Sequence, residues 1–249
     1  MKRLILLAFL LVPFWAAQSQ EIPIPKIDFN ITQAESPQDV ALAVQILLLL
    51  TLLSMAPAII LMLTSFTKII IVFDFIKRAL SLQNMPPNQV MVSLAIFLTF
   101  FIMAPTFEEI NTKALQPYLD AKISNEAFFE RSAEPLRKFM IKQIGKEGVS
   151  ELALFIKLSK AERPKNIDEV SMMVLIPAFM LTEIKKGFII GIYLFIPFLV
   201  IDMIVASTLM SMGMIMLPPV MISLPFKIIL FVLVDGWTLL TYEIVRSYS

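Results

Sequence analysis

The chain contains no cysteine and no histidine. Thiol nucleophiles, disulfides, zinc-type nitrogen and sulfur ligation and the commonest general base are therefore excluded. Carboxylates alone could hold a hard cation, but no group of Asp and Glu has calcium-loop spacing. G-x-x-x-x-G-K-[ST], G-x-G-x-x-G and G-x-S-x-G are all missing, so no motif speaks for nucleotide binding or serine-esterase chemistry. The net charge of +1 gives no electrostatic case for nucleic acid. Neither an internal repeat of fixed period nor a low-complexity stretch is visible.

What the chain has is apolar length. Its mean hydropathy of +0.81, with 58% hydrophobic residues, places it in the membrane class. Lys2 and Arg3, a short apolar run over 4–12 and the small residues Ala16, Ala17 and Ser19 read as a cleavable signal over 1–19. The nine apolar residues before Pro13 are too few to cross about 30 Å of hydrocarbon. Residues 20–40, with Pro23, Pro25 and Pro37, then form an exposed leader.

Two uncharged runs follow, 41–67 and 90–107, and make a first apolar hairpin over 41–107. Pro57 interrupts the first run; Lys68, Asp74, Lys77 and Arg78 lie between the two, giving the connection a charge of +2. The stretch 69–82 is amphipathic rather than spanning, and Met85-Pro86-Pro87-Asn88 marks a turn. Residues 108–169 are different in kind, with eleven Lys/Arg and eleven Asp/Glu. Leu136, Phe139, Met140 and Ile144 share one helical face ending at Gly145; Val149, Leu152, Phe155 and Ile156 make a second after a Ser150 cap. Asp168 is the expected N-cap of the next apolar helix, which meets Pro177. A second hairpin over 170–249 has its spans near 188–209 and 220–240. The expected fold is all-α: two membrane-type hairpins around a small helical insert. A cleaved signal leaves the N-terminus outside, the +2 connection inside and the insert on the periplasmic face, as the positive-inside rule prefers.

The C-terminal tract 196–237 is the most informative part. It is apolar enough for lipid yet carries Asp202, Lys227 and Asp235, and Gly213, Pro218 and Pro219 break it. Intramembrane charges are functional candidates by default, and broken backbone at that depth must be buried in protein or line a cavity. One reading of Asp202 and Asp235 is an intramembrane aspartyl protease, two carboxylates sharing a proton. The other is pairing with a basic group such as Lys227, on the same or another subunit. Lys227 and Asp235 are eight residues apart on one helix and cannot touch. Glu183, with Lys185 and Lys186, heads the third span either as a solvated helix end or as a partner contact. Met210, Met212, Met214 and Met216 recur at every second residue around the break. Methionine often only fills gaps in cores, but in a broken bend its flexible thioethers suit a surface that closes and reopens.

The tract IPFLVIDMIVAS…MGMIMLPPVMISLPFKIILFVLVDGW, with PPNQVMVSLAIFLTFFIMAP from 86–105 and LIPAFMLTEIKKGFIIGIYLFIPF from 175–198, closely resembles the FliP/SctR family of type III export-gate proteins. The resemblance runs from about residue 41 to the C-terminus and is weakest in the charged insert. The signal, the insert and the FVLVDGW ending resemble the flagellar branch rather than the injectisome branch. It implies no enzyme and no cofactor, but a pore-forming subunit, five copies of which join FliQ and FliR, with FlhB and FlhA nearby. Unfolded flagellar proteins would pass through this gate in the flagellar basal body at the bacterial inner membrane. A free-standing transporter is the competing class. The family's methionine gasket falls on Met214, Ile215 and Met216, where Ile215 replaces a methionine with a stiffer β-branched side chain. The family's charged positions fall on Glu183, Asp202 and Lys227, implied subunit contacts, and Asp235 lies in the VDGW motif.

Overall fold

The computed structural model describes residues 37–82, 85–159, 164, 166–214 and 216–248. The expected signal over 1–19, the leader up to residue 36 and Ile215 lie outside them. The described residues form helices and no strands. Residues 1–49 and 50–249 are separate units, the first described only over the opening turns of one helix.

Helix α1 (Pro37–Met62) is apolar on every side, and none of its described side chains is buried. A helix hydrophobic all round needs lipid or protein about it. Helix α2 (Phe66–Ala79) is the amphipathic piece: Ile69, Val72, Phe73 and Ile76 recur at helical spacing and are buried. Helix α3 (Asn88–Ile110) starts after Pro87 and runs through Pro105. A π-turn at Asn111–Leu115 carries it into α4 (Gln116–Leu119), so residue 107, the expected end of the first hairpin, falls inside a continuing helix.

The charged insert supplies α5 (Asn125–Ile144), capped by the Ser124 hydroxyl and stopped at Gly145, and α6 (Val149–Ser159). Ser150 does not cap α6; its hydroxyl donates to Glu151 Oε2 at 2.7 Å, because the helix has already begun at Val149. Nor does Asp168 cap the next helix. Asp168 lies in a 3-10 turn over Ile167–Glu169; Arg137 holds the backbone carbonyls of Asp168 and Val170, Val170 leaves the turn extended, and the cap falls on Ser171, whose hydroxyl accepts from the Met173 N–H.

Helix α7 (Met172–Ser211) runs 40 residues through Pro177 and Pro197. At 1.5 Å per residue it is about 60 Å long, twice the hydrocarbon thickness. Its N-terminal half packs on α5 and α6 around Met140, Ile144, Leu175 and Phe179; its C-terminal half joins α2 and the last two helices. Those are α8 (Pro219–Leu233) and α9 (Gly236–Arg246), which meet at a 63° bend. By length and composition three described helices, or four if the bent pair is one span, could cross a membrane.

Candidate functional site

Between the two apolar cores lies a polar seam. Lys68 and Glu183 are 1% and 0% exposed, with Lys68 Nζ 3.6 Å from Glu183 Oε1. Tyr248 closes the cluster: its hydroxyl lies 2.6 Å from Glu183 Oε2 and 3.0 Å from the Ser65 carbonyl, with one proton to donate between them. The Lys68 ammonium sits 3.5 Å over the tyrosine ring, a cation–π contact. Phe139 of α5 stacks against that ring, at 6.2 Å and 13°. Gln143 Nε2 and Lys142 Nζ both donate to the Tyr248 carbonyl, at 3.3 and 3.4 Å. Burial pulls the Lys68 ammonium down to about 8, against the opposing pull of Glu183, and burial pushes the Tyr248 hydroxyl well above its ordinary value.

Glu183 is therefore not a solvated helix end. It lies inside the chain, at the meeting point of α2, α7 and the residues after α9. Sequence reasoning singled out Glu183 but passed over Tyr248 and counted Lys68 only as a connection charge. The signal was present: Leu240, Ile244 and Tyr248 repeat at four-residue spacing and are all buried, and Lys68 precedes the buried face of α2.

A second buried charge sits lower on α7. Lys227 of α8, 1% exposed, donates to Asp202 Oδ2 at 2.6 Å, to Ser81 Oγ at 2.9 Å and to the Ala79 carbonyl at 3.0 Å. Ser223, one turn earlier on α8, donates to Asp202 Oδ1 at 2.5 Å. All three ammonium protons have acceptors, the condition under which a charge tolerates burial. Ala79 and Ser81 end α2, where Ser81 adopts φ 58°. Lys227 thus ties α8, α7 and the α2 terminus together within one chain.

Asp235 is exposed, at the corner between α8 and α9, and holds a left-handed backbone at φ 51°. Asp tolerates that conformation better than most residues. Gly236 follows because the Phe231 ring packs where a side chain would begin, 2.3 Å from the Cβ position, and Trp237 meets the same ring edge-on at 5.3 Å. The VDGW motif is a helix corner. Asp202 is hydrogen-bonded to Lys227 and Ser223 rather than to a second carboxylate. Among the described residues no group of three His, Cys, Asp or Glu could hold a metal ion.

A glycine turn opens the methionine loop. Gly213, at φ 74°, follows the C-cap Met212; its N–H bonds the Met210 carbonyl and the Met214 N–H bonds the Leu209 carbonyl. That is a Schellman motif, which satisfies the last carbonyls of α7 and turns the chain out. Pro218 and Pro219 then open α8. Between them Met214 is 40% and Met216 98% exposed, and Met210 and Met212 are also exposed. Ile215 lies outside the described residues.

The FliP family model matches residues 49–244. "Flagellar biosynthetic protein FliP" of Bacillus subtilis (strain 168) is 51% identical over 219 residues, covering 88% of this chain and 98% of that protein. The protein of the same name from Borreliella burgdorferi is 52% identical over 84% of this chain and 83% of its own, and that from Aquifex aeolicus 46% identical over 83% and 86%. Matched over residues 49–244, from the middle of α1 into the last turn of α9 and including Lys68, Glu183, the Lys227 clamp and the methionine loop, the chain belongs to the FliP family.

Proposed function

We propose that the chain is a pore-forming core subunit of the flagellar type III export gate, with the loop around Met214, Ile215 and Met216 as its gasket. The flagellar role is supported by relatives named for flagellar biosynthesis that are about half identical along most of their length. The observation that carries the pore reading is the loop itself. This chain buries two lysines and a glutamate completely, yet holds Met216 almost fully outside its own fold. Thioethers displayed on a fixed turn, flanked by apolar helices, suit contact with other copies and with varied unfolded segments. Five copies with FliQ and FliR, FlhB and FlhA nearby, unfolded flagellar proteins as cargo and a place in the inner membrane with the insert periplasmic complete the proposal. The buried Lys227–Asp202 clamp makes the hairpin that carries the loop rigid, so Glu183, Asp202 and Lys227 act first by shaping each subunit's contact surface.

Deletion of 214–216 should leave the assembled gate leaking ions, read as conductance across a bilayer holding the purified complex. Unchanged conductance of the closed gate would sink the gasket role.

A further inference from the structure

All the sulfur of this chain is thioether: it has sixteen methionines and no cysteine. Oxidation of a thioether depends on whether the oxidant reaches the sulfur. Met91, Met103 and Met140 are buried. Met85 and Met173 are exposed singly, in the turn before α3 and in the first turn of α7. Met210, Met212, Met214 and Met216 differ from both groups, being four exposed thioethers within seven residues of one bend. We propose that this loop is a redox-modification site, at which a peroxide converts the thioethers, Met216 first, to sulfoxides and so opens the seal. This regulation rests on the gasket reading of the same loop.

Three features support it. The first is access. Met216 is 98% exposed, and apart from its own chain neighbours no atom lies within 4 Å of where a side chain at Gly213 would begin. Hydrogen peroxide is little larger than water and reaches a side chain that lines a pore. The second is chemistry. The sulfur lone pair attacks one peroxide oxygen, and the S–O bond forms as the O–O bond breaks. The proton of the attacked oxygen passes to the leaving oxygen, and water departs. Sulfur is oxidised by two electrons and the peroxide is reduced. The product is a polar side chain with a strong acceptor oxygen, and sulfoxide reductases return it to the thioether. The third is position. A sulfoxide at Met85 or Met173 is simply hydrated, whereas an apolar constriction closes by excluding water, and an acceptor within it admits water. The Met214 N–H bonds the Leu209 carbonyl and the Leu217 N–H bonds the Met214 carbonyl, so the loop's polarity changes without loss of its turn. Ile215 holds no sulfur, which leaves Met214 and Met216 as the oxidisable positions of the gasket.

The test has two parts. In the first, the full-length chain in detergent is treated with hydrogen peroxide, and oxygen uptake at each methionine is followed by peptide mass mapping. Met216 should be converted several-fold faster than Met91, Met103 and Met140; equal rates overturn the proposal whatever the loop does in a pore. In the second, conductance of the purified complex in a bilayer is read before and after peroxide. It should rise towards that of the 214–216 deletion and fall again after methionine sulfoxide reductases A and B with a dithiol. Met85→Leu with Met173→Leu should leave that rise intact. Combined Met210→Leu, Met212→Leu, Met214→Leu and Met216→Leu should abolish it, whatever the starting conductance. If that variant fails to assemble or already leaks, reversal by the reductases decides. Complete conversion of Met216 without a rise, a rise that the reductases do not reverse, or one that survives the loop substitutions overturns the proposal. A deletion that leaks where oxidation does not would leave the gasket standing without this regulation; a deletion that does not leak would remove both.

Discussion

Lys227 shows what a single buried charge does here. Its ammonium satisfies a carboxylate, a hydroxyl and a backbone carbonyl on three elements. Lys227→Met leaves Asp202 without its cation and the Ala79 carbonyl without a donor; removing one partner of a fully buried pair costs about 3–5 kcal/mol, and the loss here should be smaller because Asp202 is 26% exposed and keeps Ser223. The exchange Lys227→Asp with Asp202→Lys should not restore stability, because an aspartate at 227 cannot donate to Ala79. Thermal unfolding of the detergent-purified chain checks both; full rescue by the exchange would mean that the carbonyl contact contributes nothing. Glu151 supplies the pH-sensitive counterpart outside the apolar helices. The Lys185 ammonium, then the Ser150 hydroxyl, hold its carboxyl at about 2, below the ordinary 4.5. A carboxyl depressed in the folded state stabilises it above the unfolded value and loses that contribution as pH falls through the folded one. Stability should therefore drop between about pH 4.5 and 2, by about 1 kcal/mol given that Lys185 is half exposed. Glu151→Gln should flatten the denaturant midpoint in that window; an unchanged slope would remove the pair from the account.

At the scale of elements the corner between α8 and α9 is the sharpest case. Gly236→Ala places a methyl 2.3 Å from the Phe231 ring, which also stands against Trp237, so the ring cannot withdraw freely. Overpacking of this kind costs about 1–3 kcal/mol. Phe231→Leu should recover part of the loss in the double variant, measured as a double-mutant cycle of unfolding midpoints; strict additivity would show that the ring is not the obstacle. The loop was legible because Gly213 and Pro218-Pro219 are local signals with local causes. The corner was not, since 220–240 reads as one apolar span with Lys227 and Asp235 on one helix, whereas α8 ends at Leu233 and Asp235 precedes α9. Nor was the length of α7. Pro177 reads as an interruption, but a proline's cost of about 3 kcal/mol is local, and packing of α7 on α2, α5, α6 and α8 overrides it. The seam was half legible for a related reason. Glu183 stands out in an apolar run, whereas Tyr248 matters through partners 65 and 183 residues away that no periodicity reports.

For the molecule as a whole the question is what covers its apolar faces. Phe97, Phe100 and Phe101 of α3 and Phe226, Ile229, Val232 and Leu233 of α8 are all more than half exposed. Single exposed apolar residues are ordinary, but contiguous aromatic and aliphatic faces mark protein or lipid contact. The two covers respond differently to one charge. At a protein interface an aspartate without a partner weakens association and leaves the subunit intact. At the centre of a bilayer it costs about 2.5–3.5 kcal/mol of insertion and leaves association alone. Ile229 is the place to ask, being 56% exposed on the same helix as the buried Lys227 and two residues past it. If α8 faces neighbouring subunits, as the gate proposal requires, Ile229→Asp should shift the detergent-purified particle from a multi-subunit mass towards that of one chain, 28.2 kDa for the full sequence. Light scattering after size exclusion reads the mass, and circular dichroism confirms that the helices persist. A particle of unchanged multi-subunit mass, recovered in smaller amount from the membrane, would assign this face to lipid and move the subunit contacts to another helix. A wild-type particle already at the mass of one chain would favour a free-standing transporter over a gate.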